Sequence, residues 1–115
     1  MKAEGHLRKA VAFEDRARLG KEDWEAPSVI EDIFVAAVHY IANGIQARYD
    51  VDIDAHRKQK RFLTLNDETG ALNAFESIER FRISSVYGKG WNGDRIEKAF
   101  ELLEEVKDWS STNGR

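Results

Sequence analysis

There is no cysteine among the 115 residues, which excludes disulfides, thiolate metal sites and cysteine nucleophiles. A single proline and eight glycines exclude collagen-like chains and Pro/Gly-rich disordered ones. The first 25 residues are charged throughout and hold no apolar h-region, so no secretory signal is expected. The longest largely apolar stretch, 33–45, reads as too short and too polar to span a bilayer. An excess of one charge is also missing: 18 Lys and Arg face 21 Asp and Glu, a net charge of −3, which is not the balance of a basic nucleic-acid-binding protein. Neither phosphate-loop fingerprint, GxxxxGK[ST] or GxGxxG, is present, and no GxSxG nucleophile setting occurs. These absences leave a soluble cytoplasmic protein, with no membrane segment, as the expectation.

What is present is enough to build one core. Hydrophobic residues make up 42% of the chain and charged residues 34%, the latter above the roughly 25% of ordinary globular chains. No internal repeat or dividing linker occurs, so residues 1–115 are expected to form a single domain. Charge is unevenly placed. Arg57, Lys58, Lys60 and Arg61 face only Asp54 over residues 54–66, while residues 27–53 carry Glu31, Asp32, Asp50 and Asp52 against Arg48. One short basic element is set in an acidic chain.

Five helical segments are expected. The first spans about 4–19, with Leu7, Ala10, Val11, Ala17 and Leu19 at helical spacing and Gly20 as its stop. The second follows Pro27, with Ser28-Val-Ile-Glu31 in the form of a capping box. Its apolar residues, from Val29 and Ile30 to Ile41 and Ile45, cover more than half the circumference, as in a buried helix. The third, about 54–65, is short and basic with Asp54 as N-cap. Residues 66–70 read as a turn. The fourth, about 71–87, puts Ala71, Leu72, Phe75, Ile78 and Phe81 on one face, and residues 88–93 break it. The fifth opens with Asp94-Arg-Ile-Glu97 and aligns Ile96, Ala99, Phe100, Leu103 and Val106, leaving 110–115 as a tail. No stretch alternates at period two. The expected class is all-α, an up-and-down bundle of four to five helices.

Chemistry-bearing residues are few. His6, His39 and His56 share no i, i+3 or i+4 spacing, so no metal site and no cofactor is expected. His39, beside Tyr40 in the most apolar helix, reads as a packed histidine; His56 reads as solvated, with ligand contact the alternative. The run from His56 to Arg61 is either a solvated helix face or a phosphate-contacting patch. On the fourth helix Asn73, Glu76, Arg80, Ser84 and Tyr87 fall within about 40° of one line, opposite the apolar face. An exposed Glu76–Arg80 pair is worth only a few tenths of a kcal/mol. The functional alternative is an Arg fork and a phenol that bind phosphate or nucleotide.

Three segments together resemble the HEPN superfamily of small helical domains: the long apolar helix 30–45, the following Asp54-Ala-His-Arg-Lys58, and Arg80-Phe-Arg-Ile-Ser-Ser-Val-Tyr87 before a last amphipathic helix. The resemblance covers roughly residues 5–109. It implies a helical bundle that forms a two-fold homodimer and works in RNA metabolism or toxin–antitoxin systems. Active members are similar in carrying an R-x4-6-H motif, often R-x4-H-x-Y, for metal-independent RNA cleavage. Laid on this chain, Arg80 takes the Arg position, Tyr87 the Tyr position and Ser85 the place of the His. Serine does not exchange a proton near pH 7, so the proton-transfer group of the motif is missing. Members lacking the His resemble the non-nuclease type, which pairs with a small nucleotidyltransferase, and there the motif Tyr is the residue that receives nucleotide.

The expectation is therefore a non-catalytic or regulatory partner associated with nucleotide or RNA. Arg80, Tyr87, Glu76, Ser84, His56, Arg57, Lys58 and Arg61 are the candidate phosphate-binding residues. Two alternatives stay open: a metal-independent endoribonuclease with His56 as a displaced base, brought in across a dimer interface, and a helical scaffold without a ligand.

Overall fold

A computed structural model describes residues 2–22, 26–87 and 93–111, with side chains at 2–20, 28–83 and 95–111. The described residues form five helices: α1 (Ala3–Glu22), α2 (Ala26–Tyr49), α3 (His56–Leu65), α4 (Thr69–Tyr87) and α5 (Gly93–Ser111). The chain is an all-α bundle, as the hydrophobic periodicity requires. α2 is its centre and packs against each of the other four helices.

The reason lies in the composition of α2. Val29, Ile30, Ile33, Phe34, Ala36, Ala37, Tyr40, Ile41, Ala42 and Ile45 are all buried and point in nearly every direction around the helix. A helix apolar on all sides must be covered on all sides. By length and composition the stretch Ser28–Tyr49 is in fact sufficient to cross a bilayer, which corrects the reading of a shorter, more polar run. Here the covering is protein. α1 lies on α2 through Ala10 and Ala17; α4 contributes Ala71, Ala74, Phe75 and Ile78; α5 contributes Ile96, Ala99, Phe100, Leu103 and Val106.

Several boundaries differ from the sequence reading, among them the start of α4 at Thr69, inside the expected 66–70 turn. α1 continues through Gly20 to Glu22. A Cβ on Gly20 would lie 3.1 Å from Val29 Cγ2, so this glycine permits close approach of α2 and does not end the helix. α2 begins at Ala26, before the expected Ser28 cap; Pro27 falls in the first turn, where its missing N–H costs no hydrogen bond. α3 begins at His56 behind Ala55, so Asp54 is not its N-cap. Gln59 explains the shift: its Nε2 donates to Ile53 O and Val38 O, both at 2.9 Å, and holds residue 53 against α2 outside the helix. α5 runs to Ser111, and Ser110, expected in a tail, is buried and accepts a hydrogen bond from Asn43 at 2.7 Å. Asp50 and Asp67 take positive φ values of 57° and 56° where the chain turns after α2 and α3, a conformation that aspartate tolerates. Of the expected 88–93 break, residues 88–92 lie outside the described residues and Gly93 opens α5.

Buried polar contacts fix the register of this packing. Glu14 of α1 is 4% exposed. Its Oε1 accepts from Tyr40 of α2 at 2.6 Å and its Oε2 from Arg18 at 2.7 Å, while Lys107 of α5 stands 3.4 Å away. Burial pushes the Glu14 carboxyl up, but the bonds from Tyr40 and Arg18 and the two positive charges outweigh it and hold the group below its ordinary range. Burial and the same carboxylate raise the Tyr40 phenol well above its usual value. At the far end of α2, Arg48 donates to Trp109 O at 2.6 Å, with its guanidinium 4.4 Å over the Trp109 ring. That ring packs directly on Gly44.

Two predictions come from this packing. A Cβ on Gly44 would overlap the six-membered ring of Trp109, whereas one on Gly70 would meet nothing within 4 Å. Gly44→Ala is expected to destabilise by about 1–3 kcal/mol, and Gly70→Ala to change stability by less than about 1 kcal/mol; urea unfolding of the two variants measures the contrast. Glu14→Gln is expected to cost about 1–3 kcal/mol at neutral pH. Because the folded-state pKa of Glu14 is lowered, its contribution is present above the ordinary value of 4.5 and is lost as pH falls through the folded value. The stabilities of wild type and Glu14→Gln should converge in acid, and equal stabilities at neutral pH would refute the assignment.

Candidate functional site

The basic helix α3 is seated from below by two residues. Gln59 and Leu63 are fully buried, and Gln59 carries the two bonds to backbone carbonyls described above. Its flank toward α4 is fixed by Glu79. Lys60 Nζ lies 2.6 Å from Glu79 Oε1, and His56 Nε2, one turn earlier, lies 3.6 Å from Glu79 Oε2. With this side anchored, Arg57, Lys58 and Arg61 are left exposed on the outside. Among the described residues these three enter no ion pair, in contrast to Lys60.

The start of α3 is unusual for a helix. Its N-cap is Ala55, which offers no side-chain hydrogen bond, and no acid occupies the first turn. The first turn instead carries His56, Arg57 and Lys58. The opening N–H groups of a helix lack intrahelical acceptors and present the positive end of the macrodipole. Cations placed there are unfavourable by roughly 0.3–1 kcal/mol each at an exposed site. Free N–H donors and basic side chains at one helix end are also the elements of an anion site.

His56 and Arg82 share a neighbour in Phe34. Its ring stands edge-on to Phe34 at 5.5 Å, and the Arg82 guanidinium covers the same Phe34 ring at 4.6 Å. Arg82 Nε donates to Glu31 at 2.7 Å. The fold therefore brings Arg82, and not the motif position Arg80, to the surroundings of His56. Arg80 is exposed and donates to Ser77 Oγ at 3.0 Å; Glu76, one turn before it, is half-buried. Ser84, Ser85 and Tyr87 belong to α4 by their backbone, and their side chains lie outside the described residues.

Two further features were not legible in the sequence. His6 and His39, 33 residues apart, meet with Nδ1 atoms 3.0 Å from each other, and His6 Nε2 lies 2.9 Å from Asp52. His39 is indeed packed, stacked on Phe13, but it has a partner. Among the described residues no group of three or more His, Asp or Glu is arranged to hold a metal ion. A groove of about 330 Å³ lies between α1, α2 and α5, walled by Leu7 and Val11 and floored by Tyr40, Asn43 and Ala47. Its polar side chains are engaged within the fold: Tyr40 and Lys107 with Glu14, Asn43 with Ser110, and Ser111 with Asp108 O.

No signal in the linear sequence links these residues, because the partners are 19 to 51 positions apart. Only the basic run itself was visible. Comparison of the chain with protein-family models, with curated proteins and with solved structures finds no match.

The two kinds of contact on α3 should differ in energy. Gln59→Leu leaves the carbonyls of Val38 and Ile53 without their donor and is expected to destabilise by about 1–3 kcal/mol. Glu79→Gln keeps the shape and removes one charge from a half-buried cluster that retains contact with solvent, and is expected to cost up to about 1 kcal/mol. Thermal unfolding of the two variants distinguishes them, and a larger loss in Glu79→Gln would reverse the view of which residue seats α3.

Proposed function

We propose that this chain is a HEPN-like domain that acts as a non-catalytic, regulatory partner by binding nucleotide or RNA phosphate at the start of α3. The observation that carries the reading is the uncapped first turn of α3, where free backbone donors stand beside His56, Arg57 and Lys58 with no acid among them. Arg61, one turn beyond Arg57, extends the positive line. A phosphate group would accept from the helix N-terminus and turn the unfavourable cations into favourable ones. The rest of the chain is mildly acidic, so the contact would be local and not a broad electrostatic surface.

The HEPN resemblance supplies the context of this reading: a cytoplasmic homodimer in a toxin–antitoxin pair, with a small nucleotidyltransferase as partner. Tyr87 is then the nucleotide acceptor at the end of the Arg80 stripe, with Ser84 and Glu76 as its neighbours.

A second reading rests on His56 and Arg82 both packing against Phe34. An imidazole and a guanidinium so placed would serve as proton acceptor for a ribose 2′-OH and as stabiliser of the phosphorane. This is metal-independent RNA cleavage with a displaced base, and it needs Arg82 where the motif has Arg80.

Fluorescence anisotropy with end-labelled single-stranded RNA and with a labelled adenine nucleotide, in EDTA, tests both. Binding is expected at about 50 mM salt and should weaken steeply by about 200 mM. Arg57→Ala should reduce affinity several-fold and flatten the salt slope by about one unit. Absence of binding by folded protein at low salt, or an unchanged Arg57→Ala, would overturn the first reading. RNA cleavage in EDTA that disappears in both His56→Ala and Arg82→Ala would establish the second.

A further inference from the structure

His6 is a histidine with 0% exposure whose two ring nitrogens are both engaged. The Asp52 carboxylate has no proton to give, so His6 Nε2 carries an N–H and donates to it. The Nδ1–Nδ1 contact with His39, at 3.0 Å, then has room for one proton and no more. With both rings neutral, His39 Nδ1–H donates to bare His6 Nδ1. With one proton added, a single N–H still sits between the two facing nitrogens, and His6 Nε2 keeps its bond to Asp52. A second proton puts N–H groups on both facing atoms, two donors and two positive charges in contact, and the bond between them no longer exists.

We infer that the His6–His39 pair is an acid-sensitive latch, which holds the first turns of α1 on α2 while the pair carries at most one added proton and releases them when both rings are protonated. The surrounding charges agree with this. Asp52 faces His6 from the segment after α2, Asp54 acts on His39 from the same segment, and Lys9 acts on it from α1. Burial, then His6, then Lys9 disfavour the His39 cation; Asp54 opposes them without reversing the balance. Release is confined to one end of α1. The other end is held by Glu14, whose carboxyl stays ionised well below the histidine range. Acid would thus free residues 3–10 and the Leu7 wall of the groove, while residues 14–22 remain docked.

The proton count sets a measurable slope. The open end of α1 exposes two ordinary imidazoles that bind two protons in acid, and the closed end holds one. Opening therefore takes up one proton, and the closed form is favoured at high pH and lost as pH falls below about 6.5. Native-state amide exchange, corrected for intrinsic rates, reads this at Leu7–Ala10. The opening constant is expected to rise about tenfold per pH unit between roughly pH 6.5 and 5, while the amides around Ala17 stay protected. His39→Asn, which keeps a polar group beside His6 but does not titrate, should abolish the slope, and His56→Gln should retain it. A flat profile in wild type, or the same slope in His39→Asn, would overturn the latch. Should His39→Asn fail to fold, nitrogen NMR of the wild-type imidazoles decides instead. Two separate protonation steps, the second accompanied by loss of protection at Leu7–Ala10, support the inference, and both rings protonating together with α1 in place refute it.

Discussion

The whole architecture depends on α2 having no polar face along most of its length. A helix of 24 residues, about 36 Å long at 1.5 Å per residue, cannot stand in water with isoleucine, alanine and aromatic side chains on every side. Four other helices solve the problem by surrounding it. α1 does so with alanines at the seam, so the two backbones come close and the contact is long. α4 and α5 use larger side chains and stand further off. The differing sizes of these residues, more than their helical propensity, set the cross-section of the bundle.

Hydrophobic contact alone would let the covering helices slide or rotate. Each is therefore tied to α2 by a polar bond whose geometry admits one register. Glu14 meets Tyr40, His6 meets His39, Gln59 reaches the Val38 carbonyl, Arg82 of α4 reaches Glu31, and Asn43 reaches Ser110. Glu14, Tyr40, His6 and Gln59 are buried, but each is placed where a hydrogen-bond partner meets it. That placement limits the desolvation cost and keeps the directional benefit. α3 is the extreme case, a short helix with two buried side chains, one of which is a glutamine.

Much of this bundle is readable from one sequence. The five helices follow from periodicity and from the breaks between them, and the burial of α2 follows from its composition. The boundaries drifted where a residue had two meanings. Gly20 looks like a stop because glycine often ends helices, yet here it serves the approach of Val29. Asp54 looks like a cap, but Gln59 fixes the preceding backbone elsewhere. The site was half legible. Arg57, Lys58 and Arg61 were visible as a run, since charge density is a local property. Arg82, Phe34 and Glu79 were not, because their relation to His56 exists only after α2, α3 and α4 have packed. The same holds for His6, His39 and Asp52, which occupy three separate segments of the chain.

The contact between Gly44 and Trp109 has a further consequence for how such a chain can vary. The indole occupies the space that any side chain at position 44 would need, and Arg48, one turn further along α2, stacks over the same ring. Neither residue is free to drift by itself: a methyl at 44 requires a smaller residue at 109, and a smaller residue at 109 takes the ring from under the Arg48 guanidinium, leaving it Glu68 and the backbone carbonyl of residue 109. The two positions, 65 places apart in the chain, should behave in evolution as one three-body character with position 48. A set of homologous sequences would show glycine, tryptophan and arginine gained or lost together.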